Sequence, residues 1–127
     1  MFSVSRDFRS IAQQSLTMIK VDGRLWINSG ELPLLGNGRI ELLEKIGELG
    51  SLRKAAAEMK MSYRQAWFNI NEMNINAGKP LVILKRGGRD GGIAEVTDTG
   101  KKVITQFRQL QKEFKTFLKE KTKTFKI

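Results

Sequence analysis

The feature that most constrains the fold of this chain is a pair of helix signals separated by a very short link. The first segment, residues 51–59, is small and rich in alanine, and the second, residues 62–76, opens on a serine. Only Lys60 and Met61 lie between them. Two helices joined by so short a turn are typical of a helix-turn-helix, although the same spacing also occurs in other helical bundles.

The second segment carries the signals of an amphipathic helix. Ser62 has the hydroxyl acceptor that caps the amides of a first turn, and Gln65 follows at the capping-box spacing. Ala66, Ile70 and Met73 then recur at steps of four and three residues. This spacing predicts a stripe of side chains that faces a core.

The opposite face of this helix carries hydrogen-bonding side chains near its amino end. Arg64, Gln65 and Asn69 lie there, where an ordinary solvated face would more often carry Lys and Glu. Guanidinium and amide groups match the donors and acceptors of base edges, so the pattern favours a recognition helix. Phe68 projects from the same side, and two roles stay open for it: contact with a thymine methyl group, or packing on the protein's own scaffold.

The charge balance indicates a polyanionic partner. The formal net charge is +10 and the pI is about 10.2, which fits nucleic acid and also an anionic membrane surface. Residues 101–127 hold nine basic residues against two glutamates, so most of the excess lies at the carboxyl end. The helix at 62–76 therefore does not account for the basic pI by itself.

The composition excludes most common catalytic centres. The chain has no cysteine and no histidine, which removes disulfides, thiolate nucleophiles, thiolate zinc sites and imidazole acid–base chemistry. We therefore expect no enzyme, no catalytic residues, no metal site and no cofactor. No apolar run is long enough to span a bilayer, and the first twenty residues lack a secretory core, so we expect a cytoplasmic protein without a membrane partner.

The region before the helices reads as a short β-hairpin. Residues 18–21 and 25–27 are strand-like and mostly apolar, and they flank Asp22-Gly23, a dipeptide that suits a tight turn. A further strand is expected at 32–34. We predict a small antiparallel sheet from these segments.

A second hairpin follows the recognition helix. Residues 81–84 and 93–96 are predicted strands, and the glycine-rich loop 85–92 between them is the predicted wing. Trp67 is expected in the core, where it would pack the recognition helix onto these strands. The basic residues of the wing are Lys85, Arg86 and Arg89.

The last helix, predicted at about 101–119, carries apolar residues at alternating steps of four and three. A sustained heptad pattern favours a dimer helix, while packing back on the chain's own domain stays open. The residues of this expected dimer interface are Val103, Phe107, Leu110, Phe114 and Phe117.

Together these elements predict an α+β fold: a winged helix-turn-helix with a short N-terminal β-hairpin region and a long C-terminal dimerisation helix. We expect a flexible arm at residues 1–16, the DNA-binding domain at 17–100, and the dimer helix with its basic tail at 101–127. A helix at 38–49 opens the predicted helical part.

Several motifs in residues 38–110 resemble those of the amino-terminal winged-helix domain of ModE-type molybdate-responsive regulators and, more distantly, LysR-type regulators. The motifs are GSLRKAA at 50–56, SYRQAWFNINEMN at 62–74, PLV at 80–82, GGRDGG at 87–92 and VTDTG at 96–100. The family's capping serine, tyrosine and basic residue fall on Ser62, Tyr63 and Arg64.

This resemblance implies a dimeric, sequence-specific, DNA-binding transcription factor. Full-length members continue into an oxyanion-binding domain, and we expect this chain to be a stand-alone member without that domain. The strands before the helix at 38–49 resemble those of stand-alone, single-domain members. The resemblance therefore does not carry direct molybdate binding to this chain, and the effector is unknown.

The leading hypothesis is a homodimer on double-stranded DNA, with the helix at 62–76 in the major groove and the wing on the backbone. The alternatives are an interaction module that uses the aromatic last helix without specific DNA binding, and a basic helix on anionic membrane. Arg64 and Gln65 are expected to contact bases, and the basic residues of the preceding helix and the wing to contact phosphates. The predicted DNA-binding residues are Arg53, Lys54, Ser62, Tyr63, Arg64, Gln65, Asn69, Lys85, Arg86 and Arg89.

Overall fold

A computed structural model describes residues 18–85 and 92–127, and over these it has the predicted α+β organisation. The described elements form two compact units, residues 25–110 and residues 18–24 with Gln111–Ile127. In chain order the elements are β1 (Ile27–Ser29), β2 (Leu32–Leu35), α1 (Asn37–Leu49), α2 (Leu52–Glu58), α3 (Tyr63–Ala77), β3 (Val82–Lys85), β4 (Ile93–Val96) and α4 (Asp98–Thr124).

Local capping signals set the bounds of the first three helices. The hydroxyls of Ser51 and Ser62 accept hydrogen bonds from the third amide of α2 and of α3, at 3.2 and 3.0 Å. Helices α1 and α3 end at Gly50 and Gly78, whose φ values of +66° and +69° are left-handed. Because these signals are local, the helix bounds agree closely with those predicted from the sequence.

The link between α2 and α3 is the tight turn of a helix-turn-helix. Lys60 adopts a φ of +56° there, and its N–H donates to Ala57 O at 3.1 Å. The N–H of Met61 donates to Ala56 O at 3.0 Å, which closes the turn before Ser62 opens α3. The predicted two-helix arrangement is therefore confirmed.

One core holds the unit of residues 25–110 together. The stripe predicted on α3 is fully buried in it, and it packs with apolar residues of α1, α2, β3, β4 and the first turns of α4. Burial of these side chains supplies the main driving force for the fold. The fully buried large side chains are Ile40, Leu42, Leu43, Ile46, Leu52, Ile70, Met73, Leu81 and Val82.

The wing sheet is joined to the start of the helix-turn-helix. Strands β3 and β4 are antiparallel, with Val82 opposite Val96 and Lys85 opposite Ile93. The N–H of Leu52 donates to Gly92 O, and the N–H of Ala94 donates to Gly50 O, both at 3.1 Å. The base of the wing is thereby fixed against the amino end of α2.

The hairpin predicted around Asp22-Gly23 is wrong. The observed hairpin joins β1 and β2 through a turn at Gly30, where φ is +61°. Asp22 does form local turn chemistry, since its carboxylate accepts from the Gly23 N–H at 2.9 Å. However, the N–H of Val21 donates to the Thr122 hydroxyl at 2.8 Å, so it does not join a strand ladder.

The unit of residues 18–24 with Gln111–Ile127 contains the carboxyl part of α4. The rings of Phe114 and Phe117 stack with centroids 6.5 Å apart. A Cβ added at Gly23 would lie 3.0 Å from the Phe114 ring, so the chain passes close to this aromatic pair. Helix α4 begins before and ends after the predicted span of 101–119, and part of the expected basic tail is helical.

Candidate nucleic-acid interface

The amino end of α3 presents polar side chains on the side opposite the core. Arg64 and Gln65 are exposed, whereas Ala66 is fully buried. At about 100° per residue, Arg64 lies roughly 160° around the helix from Ala66. The guanidinium that the sequence assigned to base recognition is therefore on the solvent face.

Two amide side chains on this helix are linked. Gln65 Nε2 donates to Asn69 Oδ1 at 3.3 Å, one turn further along. The contact orients the Gln65 amide, whose second N–H and carbonyl oxygen match the hydrogen-bonding edge of adenine. The structure thus brings together these two predicted site residues.

Tyr63 connects three parts of the site. The Arg53 guanidinium of α2 lies over the Tyr63 ring, 4.9 Å from its centroid. The same ring lies beside the wing base, since a Cβ added at Gly92 would be 3.4 Å from the Tyr63 hydroxyl. Tyr63 therefore positions a basic residue of α2 next to the recognition helix and β4, a role that its place in the sequence motif did not reveal.

The basic residues that flank α3 occupy two elements. Arg53 and Lys54 are exposed on α2, and Lys85 is exposed at the end of β3. Lys85 Nζ lies 2.8 Å from Glu95 Oε2, and this hydrogen bond and the Lys85 charge lower the pKa of Glu95. Arg86 and Arg89, also predicted to contact DNA, lie outside the described residues.

The structure corrects the expected place of one aromatic residue and shows that another is half-exposed. Trp67 is 45% exposed, so the prediction that it lies in the core is wrong. At about 100° per residue it falls roughly a quarter turn from the buried stripe, too far to join it. Phe68 is 52% exposed, so about half of its side chain is accessible to another molecule.

The five residues predicted for a dimer interface have different environments. Phe107 is 2% exposed in the core of the unit of residues 25–110, and Val103 packs against the same core. Leu110 and Phe117 are 40% and 49% exposed, and Phe114 is half-buried against Phe117. The exposed members alone remain accessible to another molecule.

A group of polar contacts around Arg39, which sequence reasoning missed, fixes α3 against the first hairpin. Arg39 Nη1 donates to Leu34 O at 3.2 Å, and Arg39 Nη2 pairs with the Glu72 carboxylate of α3. Asn76 Nδ2 donates to Pro33 O at 2.8 Å. These contacts fix the carboxyl half of α3 against the first hairpin. The orientation of its amino end is fixed as a result.

The described residues 18–85 and 92–127 contain no group of acidic side chains that could hold a metal ion. None of their helices is long and apolar enough to cross a membrane.

Solved structures with a similar fold include a transcriptional regulator. A LysR family transcriptional regulator matches 65% of this chain and 27% of its own, with a TM-score of 0.50 and 20% identity. A variant of ZitR from Lactococcus lactis matches 98% of this chain and 85% of its own, with a TM-score of 0.52 and 12% identity. At these identities the likeness shows the fold, and the predicted winged helix is confirmed.

Sequence relatives point to one group of regulators, although no family model matches the chain. The molybdenum transport protein ModE of Azotobacter vinelandii is 35% identical over 103 residues, which are 81% of this chain and 38% of that protein. The DNA-binding transcriptional dual regulator ModE of Escherichia coli K12 is 41% identical over 66 residues, which are 52% of this chain and 25% of that protein. The chain thus spans less than two fifths of the length of either relative. Over its winged helix-turn-helix region it is related to the ModE-type regulators, as its motifs indicated.

Proposed function

We propose that this chain is a sequence-specific DNA-binding transcriptional regulator that acts in the cytoplasm as a homodimer. The observation that carries the proposal is the amino end of α3, where Arg64 is exposed opposite the buried stripe and Gln65 is exposed beside it. A helix that packs on the core with one face and exposes polar side chains on the other fits the major groove. The relation to a regulator named as DNA-binding supports the same function.

Base recognition is assigned to the first two turns of α3. Arg64 would donate two hydrogen bonds to a guanine, and a good bidentate pair discriminates against a wrong base by about 1–3 kcal/mol. Gln65, oriented by Asn69, would bind an adenine edge. Ser62 stabilises this end of the helix by capping it.

Phosphate contacts are assigned to the basic residues on either side of α3. Arg53 and Lys54 on α2 and Lys85 on β3 flank the helix, and Tyr63 holds Arg53 through its ring. Contacts of this kind fix the position of a protein on the duplex but carry little sequence information. From the sequence, Arg86 and Arg89 are assigned to the same role.

The dimer contact is assigned to the exposed apolar residues of α4. Leu110 and Phe117 lie seven residues apart, which places them on one side of the helix, and both are exposed. A dimer would present two copies of α3 to successive major grooves, about 34 Å apart.

Selection of bound duplexes from a random pool tests the proposal. We expect one enriched sequence with two half-sites separated by about one helical turn. The Arg64→Ala variant should bind a broader set of sequences. A matched control is Lys79→Ala, because Lys79 follows the far end of the same helix, about 22 Å away. If Arg64→Ala gave the same ranking of sequences as the parent chain, the base assignment would be wrong.

Sedimentation of the isolated chain tests the dimer and the alternative function together. A stable dimer that selects a sequence supports the regulator, whereas a monomer indifferent to duplex supports an interaction module. Because the Azotobacter relative is named for molybdenum transport, the binding assay should be run with and without molybdate.

A further inference from the structure

Phe68 occupies the centre of the solvent face of α3. Its side chain is 52% exposed, although burial of a phenylalanine side chain away from water lowers the free energy. At about 100° per residue it lies roughly 200° from Ala66, directly opposite the buried stripe. Its neighbours on this face are the exposed Arg64 one turn before it and the exposed Asn71 one turn after it. Neither of these polar neighbours explains why a large apolar ring occupies this position.

The proposed function places this face against the major groove, and the inference that follows rests on that function. The groove floor consists of hydrogen-bond donors and acceptors, with one apolar group among them, the 5-methyl group of thymine. An aromatic side chain can contact this methyl group but cannot satisfy the polar edges of the other bases. An exposed phenylalanine in the groove therefore has one favourable partner.

The position of Phe68 along the helix also fits such a contact. It follows Arg64 by four residues, which corresponds to a rise of about 6 Å along the helix axis. Base pairs are stacked about 3.4 Å apart, so Phe68 would reach a base pair roughly two steps from the one that Arg64 contacts. Arg64 lies one turn from Phe68 on the same face, and Arg53 and Lys54 are exposed on the neighbouring helix α2. These positive charges favour a polyanion such as nucleic acid over an apolar protein groove.

We propose that Phe68 is a specificity-determining residue that contacts the 5-methyl group of a thymine, about two base pairs from the base bound by Arg64. The contact is an apolar counterpart to the polar recognition by Arg64 and Gln65. It explains how a ring left outside the core contributes to binding.

Replacement of thymine by deoxyuridine tests this contact, because it removes the methyl group and keeps base pairing unchanged. The duplex is the sequence selected by the full chain from the random pool, and each thymine is replaced in turn. Affinity is measured for the parent chain, for Phe68→Ala and for Ile75→Ala. Ile75 is the matched control, since it is 67% exposed on the same face but near the carboxyl end of α3.

For the parent chain and Ile75→Ala, we expect deoxyuridine at one position per half-site to weaken binding about fourfold, the value of one buried methyl group. For Phe68→Ala, the same replacement should have no effect. An equal loss in Phe68→Ala, or no sensitive thymine in the parent chain, would overturn the inference while the proposed function stands. If the chain selects no sequence at all, the proposed function fails and this inference fails with it.

Discussion

The side chain of Asn74, near the carboxyl end of α3, forms hydrogen bonds with the backbone of Leu81, the residue just before β3. Asn74 Oδ1 accepts from the N–H of Leu81 at 2.7 Å and from that of Val82 at 3.3 Å, while Asn74 Nδ2 donates to Val82 O at 2.9 Å. One amide thus satisfies three backbone groups where the chain passes from the recognition helix into the wing. Because Leu81 and Val82 are buried, water does not readily replace these bonds.

The Asn74→Ala substitution should destabilise the fold. It leaves buried backbone groups without partners, which costs about 1–3 kcal/mol of unfolding free energy. Urea denaturation measures the loss. The control is Asn71→Ala on the exposed face of the same helix, for which a change within about 0.5 kcal/mol is expected. Equal stability of the two variants would contradict the role assigned to Asn74.

Contacts with the backbone of Pro80 and Leu81 explain the VTDTG motif, residues 96–100, at the start of α4. The Thr97 hydroxyl accepts from the Gly100 N–H at 3.0 Å and donates to Pro80 O at 2.8 Å. A Cβ at Gly100 would lie 2.3 Å from Leu81 O and 2.7 Å from the Val96 side chain. Helix α4 therefore packs on the strand backbone at a distance that only glycine permits.

The Gly100→Ala substitution should cost at least about 1–3 kcal/mol, because the backbone at Leu81, just before β3, must move to admit the methyl group. The control is Gly38→Ala in α1, where an added Cβ meets nothing within 4 Å. That change should raise stability by about 0.4–1 kcal/mol, since it restricts the unfolded chain. Thermal unfolding of both variants checks the opposite signs, and stabilisation by Gly100→Ala would show that the packing is looser than described.

The motifs that indicated the family are therefore largely motifs of the fold. Asn74, Thr97 and Gly100 lock α3, β3 and α4 around Leu81, and Ser62 and Tyr63 shape the amino end of α3. The role of Ser62 followed from its spacing because it caps the helix that it begins, whereas Asn74 and Thr97 bond to backbone groups 7 and 17 residues away, which the sequence did not indicate. Which face of α3 is exposed also followed from periodicity, since Ala66 and Arg64 fall on opposite sides.

The failed predictions involve contacts between distant parts of the chain. Asp22-Gly23 has real turn chemistry, but Val21 bonds to Thr122, 101 residues away, and no local pattern indicates that partner. The error for Trp67 is instead local: it was assigned to the core because it lies beside the apolar stripe, whereas its angle on the helix keeps it partly exposed. Phe107 belongs to a heptad pattern that also suits a dimer, and only the packed fold shows that its ring fills the core of its own chain.

The ion pair between Glu44 of α1 and Arg108 of α4 should make stability depend on pH in acid. Arg108 Nε donates to Glu44 Oε2 at 3.0 Å, and this hydrogen bond, followed by the Arg108 charge, lowers the pKa of Glu44 below its ordinary value of 4.5. The folded state therefore holds the carboxylate ionised at a pH where the unfolded chain takes up a proton. The resulting stability is present above 4.5 and is lost as the pH falls through the lowered pKa.

Both groups of this pair are more than a third exposed, so its contribution near neutral pH is about 0.2–1 kcal/mol. Glu44→Gln should lower the unfolding free energy by that amount near neutral pH, and its difference from the parent chain should shrink in acid. Denaturation at several pH values measures this trend. Glu31→Gln, at an exposed site in the β1–β2 turn, is the control and should match the parent chain throughout. A difference for Glu44→Gln that does not change with pH would contradict the assignment.

Lys85 and Glu95 at the base of the wing should affect DNA binding in opposite directions. Their side chains are 56% and 61% exposed and form an ion pair of 2.8 Å, so a phosphate that approaches Lys85 must compete with the Glu95 carboxylate. Glu95→Gln removes that competitor and should tighten binding to the selected duplex and to random duplexes alike. Lys85→Ala should weaken both equally and lower the salt slope of the binding constant by about 0.9, as expected for one lost phosphate contact. Lys85→Arg keeps the charge and should leave the slope unchanged, whereas an unchanged slope for Lys85→Ala would remove Lys85 from the interface.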